Sequence, residues 1–302
     1  MTDSQKIWIL IGVVIVSAFV GFYDRVRTPV VSASSVSVLP KPSVMVIPIE
    51  GMITGAGSEW QLSMVDTVSE QLKQAKDTKY VKAVVLRINS PGGTVGATQE
   101  IYNAVLRFKE ETKKPVVVSI LDIGASGAYW IALAGDYIYS QPGSIVGSLG
   151  VITQTMDLTA VPKKYGINVR TYKSGAHKDI LNPWRAPTKD DKYLIQKMLT
   201  SIHTQFKDTL IRHRGVSQEK AHILADGRIY SGADALDEKL VDALGGLHNA
   251  ITYAAKLANV EHPHIMYPHR GVRDFLQSFR SMSQPFHMMQ QFMNMQASPM
   301  VY

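Results

Sequence analysis

Ser126 lies in Gly124-Ala125-Ser126-Gly127-Ala128-Tyr129, a hydroxyl among residues with almost no side-chain bulk. An apolar run from Lys114 to Leu121 precedes it, and a second, Tyr129 to Ala134, follows. Strand, tight glycine-rich turn, serine and helix start is how a chain presents a nucleophilic hydroxyl with backbone N–H groups beside it. The segment is not Gly-x-Ser-x-Gly, and the plain alternative is a serine that caps a helix. Ser90-Pro91-Gly92-Gly93 closes another apolar strand. Its glycines allow close backbone approach, and their N–H groups could form an oxyanion hole with that of Gly127. The alternative there is an ordinary Pro-Gly turn.

A serine nucleophile needs a base, and Tyr172-Lys173-Ser174-Gly175-Ala176-His177-Lys178-Asp179 offers two. His177 is the obvious one, with Asp179 or Asp122 to orient it. Lys178 is the other. A lysine has an ordinary pKa of about 10.4, so only about one in 2,500 is neutral at pH 7. To serve as a base it must fall to about 7–8, which burial away from acids can achieve. Residue chemistry leaves both open.

These segments need a scaffold. Val44–Ile49, Val81–Ile88 and Val116–Leu121 read as apolar strands, alternating with helices over Met64–Ala75, about Val95–Glu111 and the run after Ser126. Short pieces at Tyr137–Tyr139, Gly150–Thr153 and Asn168–Tyr172 read as further strands. The alternation predicts an α/β fold with a largely parallel sheet covered by helices. Thr188-Lys189-Asp190-Asp191 starts a helix expected to run to Arg214, with Leu194, Met198, Ile202, Phe206 and Leu210 on its core face. Gly227–Gly232 precedes a short helix expected to end at Leu244-Gly245-Gly246.

The 302 residues suffice for one sizeable core plus accessory segments. With no cysteine there are no disulfides, no cysteine nucleophile and no thiolate metal site. The net charge of +7 is dispersed, without the basic-aromatic alternation of a nucleic-acid surface, and suits an anionic membrane instead. Residues 7–23 carry no charge. As a helix they would cover roughly 25 Å, close to the roughly 30 Å hydrocarbon core. We read residues 1–27 as an uncleaved anchor, against a signal peptide cut near Val31-Ser32-Ala33, and residues 28–43 as a flexible linker. Lys6 on one flank and Arg25 and Arg27 on the other leave the orientation open. Residues 44–258 are then the catalytic domain. Residues 259–302 are a tail rich in methionine from Met282 onward, either a partner surface or a loosely ordered terminus. Neither a Gly-x-x-x-x-Gly-Lys-Ser/Thr loop nor His-Glu-x-x-His is present, and no cofactor is expected.

Five segments occur in a family's order: Ser90–Gly93, Ala125–Tyr129, Gly147–Val151, Lys173–Asp179 and Gly227–Gly232. Together, over roughly Val44 to Ala258, the chain resembles the signal peptide peptidase A (SppA/SohB-type) serine peptidases of bacteria, which share a ClpP/crotonase-like core. The resemblance implies Ser126 as nucleophile and Lys178 as general base of a Ser-Lys dyad. Ser148 would hydrogen-bond the lysine, and Gly93 and Gly127 would form the oxyanion hole. It implies a peptide or signal-peptide substrate and a homo-oligomeric ring in which Ser and Lys come from neighbouring subunits. It also implies a single-pass anchor in the inner membrane, with the catalytic domain on the periplasmic side. Ala128 and Trp130 stand where Gly and Tyr are common in the family, which would narrow the groove. A crotonase-type hydratase, a peptidase acting on a stomatin-type membrane partner and a non-catalytic ring scaffold are the competing readings.

Overall fold

The computed structural model describes residues 41–57 and 62–268. Three long strands make the centre: β1 (Ser43–Glu50), β2 (Val81–Ser90) and β3 (Val116–Ala125). All three pair in parallel, Ile47 opposite Leu86 and Leu86 opposite Val118. Both faces of each strand are apolar, as a sheet covered on two sides requires. Met45, Ile47, Ile49, Val84, Leu86, Ile88, Val118 and Ile120 point into the main core. Val44, Val46, Ala83, Val85 and Val117 point the other way, onto Ala250, Ile251, Ala254 and Ala255 of a helix, α8 (Leu247–Leu257).

The main core is closed by α1 (Met64–Asp77) and α2 (Val95–Thr112). The Ser63 hydroxyl caps α1 by accepting from the Asp66 N–H at 3.1 Å, a contact of a kind that contributes about 1 kcal/mol.

The free edge of β3 is shared. β4 (Tyr137–Ser140) pairs with Val117–Ile120, and β5 (Ile145–Gly147) pairs with Ile123–Ala125. β6 (Ile229–Ser231) adds antiparallel to β5, and β7 (Ala243–Leu244) adds to β4. Between β3 and β4 lies the short α3 (Gly127–Ala132), and after β6 the short α7 (Gly232–Asp237). β8 (His264–Met266) pairs with β1, so the sheet continues past residue 258, where the sequence placed the start of a tail.

The long helix α5 (Lys189–Arg214) starts and stops where its sequence predicts. Thr188 and Asp191 form a reciprocal capping box, and Gly215 ends it at φ 62°. Only part of the expected core face is buried: Phe206 and Leu210 are, whereas Met198 is half exposed. The small α4 (Ala160–Tyr165) precedes α5, and α6 (Gln218–Leu224) follows it.

Three expectations need correction. Gly150–Thr153 and Asn168–Tyr172 are not strands: neither joins a ladder with any described strand, and Tyr172 is 89% exposed. The helix after Gly232 stops at Asp237, since Lys239 takes a left-handed φ of 60° and breaks its ladder. The strand Ile145–Gly147 and the helix α8 were not anticipated. The first is only three residues long, and the second was overlooked although it carries an apolar stripe. No helix among the described residues is long and apolar enough to cross a membrane. The anchor assigned to residues 7–23, the linker up to residue 40 and the whole Met-rich segment lie outside those residues, and Ser43, read as the linker's last residue, already belongs to β1.

Candidate active site

Ser126 sits between the last residue of β3 and the first of α3, with φ 54° and ψ −123°. An L-residue rarely adopts this conformation, and such strain gathers at functional sites. It is over-determined by neighbours. The Ser126 N–H donates to the Gly147 carbonyl at 2.7 Å, and the Ser126 carbonyl accepts from the Trp130 N–H at 3.0 Å. α3 is held rigidly in turn. Tyr129 is fully buried and its hydroxyl donates to the Leu240 carbonyl at 2.6 Å; burial pushes the phenol well above its ordinary range. Trp130 stacks on Phe206 of α5 with ring centroids 4.5 Å apart. The Ser126 side chain is half-buried, does not cap α3, and has no hydrogen-bond partner among the described residues.

The Ser90–Gly93 turn lies directly against this nucleophile candidate. Gly92 has φ +97°, and a Cβ there would sit 2.7 Å from the Gly127 nitrogen and 2.9 Å from Ser126 Cβ. Around Gly93 the chain is pinned by Ile53 N–H to Gly92 carbonyl (2.9 Å) and Thr94 N–H to Ile53 carbonyl (2.8 Å). A Cβ at Gly93 would stand 1.9 Å from the Ile53 oxygen, so only glycine fits. The N–H groups of Gly93 and Gly127 find no protein acceptor among the described residues. Both residues line one small cavity of about 90 Å³ with Ser126, Thr98, Trp130 and Phe206. Unpaired N–H groups beside a free hydroxyl can stabilise charge that develops on an attacked carbonyl.

Ser148 follows Gly147 as Ser126 follows Ala125, and those two predecessors are register partners on β5 and β3. Ser148 also has positive φ, 51°, held by its N–H donating to the Arg228 carbonyl at 2.7 Å. Its hydroxyl too is without a hydrogen bond among the described residues. The sheet thus delivers Ser126, Ser148, Gly93 and Gly127 to one place.

Lys178 is not brought there. It is exposed on a turn in a long connection where no residue between 151 and 190 is buried, and it does not line the cavity. No hydrogen bond joins it to Ser126. The histidine alternative is not assembled either. His177 Nδ1 faces Asp191 Oδ1 at 3.4 Å, Asp179 is held by Arg185 and Lys173, and Asp122 accepts from the Asn89 amide at 3.0 Å. Arg185 was not singled out in the sequence, and Asp191 was read only as part of a helix start; a lone arginine between two prolines and an acid in a helix cap carry little signal. Thr98 was also missed. It is buried, and its Oγ1, unpartnered among the described residues, would lie 2.3 Å from a Cβ on Gly127. Among the described residues no group of three His, Asp or Glu side chains is placed to hold a metal ion.

The model of the Clp protease family matches residues 50–155, and that of peptidase family S49 matches residues 108–261, half of the chain. The two overlap across the β3–α3 turn and Ser148. A candidate protease of Methanocaldococcus jannaschii is 40% identical over 207 residues, 64% of this chain and 66% of its own. A protein of Enterococcus faecium named as a candidate signal peptide peptidase SppA is 33% identical over 181 residues, 60% of this chain and 52% of its own. The chloroplastic serine protease SPPA of Arabidopsis thaliana is 30% identical over 213 residues, 70% of this chain and 31% of its own. The match thus spans two thirds or less of the length of these relatives. Together with the parallel sheet and the glycine-flanked serine at its edge, these matches lead to one assignment: the chain belongs to peptidase family S49.

Proposed function

We propose that this protein is a membrane-anchored serine endopeptidase that works through a Ser-Lys dyad completed between neighbouring copies of the chain. The observation that carries the reading is the strained Ser126, its hydroxyl unpaired beside the unpaired N–H groups of Gly93 and Gly127. Ser126 Oγ attacks the scissile carbonyl and passes its proton to the neutral Lys178 amine of an adjacent subunit. The Gly93 and Gly127 N–H groups hold the oxyanion. The lysine then donates that proton to the leaving amine, leaving an ester on Ser126. Water, deprotonated by the same lysine, releases the acyl product and restores the hydroxyl. Ser148 would hydrogen-bond the lysine from the β5 side, a role supported by the register of Gly147 with Ala125.

The division between subunits is supported by the connection that carries Lys178. Besides having no buried residue, it exposes Ile152, Met156, Tyr165, Ile167 and Tyr172, an apolar surface suited to a second copy. The substrate class we infer is remnant signal peptides or membrane-protein segments, cut on the periplasmic side of the inner membrane. The narrow cavity beside Ser126 favours a small side chain next to the cut. Residues 7–23 would hold the enzyme at the bilayer.

The test uses the full chain in detergent and a fluorophosphonate probe. Wild type and His177→Ala are expected to label at Ser126, while Ser126→Ala and Lys178→Ala do not. Mixing the two inactive variants is expected to restore peptide cleavage at up to about a quarter of the sites for random assembly of equal amounts. Labelling that needs His177 and not Lys178 would sink the dyad. A correctly assembled wild type that never labels would favour a scaffold.

A further inference from the structure

Lys178 is followed in the chain by an aspartate, an awkward neighbour for a base. A free carboxylate nearby stabilises the ammonium and so disfavours the neutral amine that must take the proton. Asp179, however, is fully engaged. Its two oxygens take a bidentate pair from Arg185, Nε to Oδ2 and Nη2 to Oδ1, each at 2.9 Å. Lys173 Nζ adds a third bond at 2.6 Å, and Arg185 Nη2 also donates to the Asp179 carbonyl at 3.1 Å. The carboxyl is 11% exposed.

The same guanidinium reaches the other way. Arg185 Nη1 donates to Asp191 Oδ2 at 2.6 Å, and Asp191 is 1% exposed inside the capping box of α5. Asp191 Oδ1 faces His177, the residue before Lys178. Both neighbours of the lysine are therefore tied through Arg185 and Asp191 to α5. That helix carries Phe206, which stacks on Trp130 of the Ser126 helix.

Building on the Ser-Lys reading, we propose that Arg185 is a positioning residue for Lys178. Its fork fixes the turn that presents the amine and keeps the Asp179 carboxylate from pairing with that amine. In support, Arg185 first and Lys173 second hold the Asp179 carboxyl well below the usual carboxylate range, and Arg185 does the same for Asp191. The charged groups in play are Lys173, His177, Asp179 and Arg185 on the loop, with Lys189, Asp190 and Asp191 at the start of α5. A lysine cannot replace the arginine, because a point charge does not span two carboxylates in a fixed plane.

The experiment measures kcat, KM and the pH profile of kcat/KM for the full-chain enzyme on an internally quenched peptide with small residues at the cut. Arg185→Gln is expected to lower kcat on the order of 10²-fold, the cost of a misplaced catalytic group. KM should hold within about twofold, and assembly size should be unchanged. The acid limb should move up by about one pH unit as Asp179 is unmasked. Adding Asp179→Asn to Arg185→Gln should bring that limb back, whereas a purely structural role predicts no return. Arg185→Lys, which keeps a cation if Arg185→Gln does not assemble, should show the same loss and a smaller shift. Wild-type kcat in either variant, with Lys178→Ala inactive, would overturn the proposal, as would an acid limb insensitive to Asp179→Asn. An active Lys178→Ala would instead remove the dyad itself, and this proposal with it.

Discussion

Gly92→Ala tests how closely the Ser90–Gly93 turn and the Ser126 turn are coupled. Gly92 has φ +97°, and a Cβ there would meet the Gly127 nitrogen at 2.7 Å, Ser126 Cβ at 2.9 Å and the Ala125 oxygen at 3.0 Å. The backbone conformation alone costs an L-residue about 1–2 kcal/mol. The overlap adds roughly 1–3 kcal/mol, since the atoms met belong to the backbone or to Cβ and cannot swing aside. The expected loss of about 2–5 kcal/mol corresponds to about 2–4 °C in Tm per kcal/mol for a domain of this size. Relief requires the Ser126–Gly127 turn to move by a few tenths of an ångström, which on the proposed mechanism takes the Gly127 N–H off the oxyanion. Loss of one such donor lowers the rate about 10²–10³-fold. The control is Gly96→Ala in α2, where a Cβ meets nothing within 4 Å, so stability should rise by about 0.5–1 kcal/mol. Thermal unfolding and the rate of fluorophosphonate labelling on the full chain measure both effects. A Gly92→Ala protein within about 0.5 kcal/mol of wild type that labels at the wild-type rate would refute the coupling.

Two further outcomes follow from the same geometry. Ser126→Gly should be more stable than Ser126→Ala by roughly 1 kcal/mol, because glycine relieves φ 54°, ψ −123° at a smaller entropic cost; equal Tm values would mean that the turn stores no strain. Asp179 and Asp191 are depressed carboxyls, so the stability they lend is fully present above their unfolded pKa near 3.9 and is lost as pH falls through their lower folded values. Limited proteolysis of the 173–188 loop should accordingly be slow and flat from pH 7 down to about 4 and accelerate only below that. In Asp191→Asn the loop should already be cut faster at pH 7, and unchanged protection there would mean that the Arg185 bridge does not hold it.

The central strands and their helices were legible because each is periodic over many residues. Two-sided apolar runs such as Val81–Ile88 can only be buried on both faces, and Thr188 to Gly215 carries its own start and stop signals. Local chemistry also placed Ser126 in a tight turn after a strand. The apolar pieces at Gly150–Thr153 and Asn168–Tyr172 misled because a ladder needs a partner strand, and strand-like composition alone does not supply one. The three-residue β5 and β8 gave too few apolar positions to register as elements, whereas α8 carries a clear apolar stripe of Ala250, Ile251, Ala254 and Ala255 that was overlooked.

Sequence by itself determined the parallel core, the strand–serine–helix turn and the two glycine-bearing segments, since each depends on the contacts and backbone freedom of consecutive residues. Tertiary structure alone decided that Gly92 presses on the Gly127 nitrogen, that Ser148 lies beside Ser126 across a β5–β3 register, and that Asp179 turns to Arg185 instead of to a histidine. It also decided that Lys178 is exposed on an unburied connection and makes no hydrogen bond to Ser126. These are relations between residues far apart in the chain, set by strand pairing and by the directions in which a guanidinium can hold two carboxylates, and no local pattern records them.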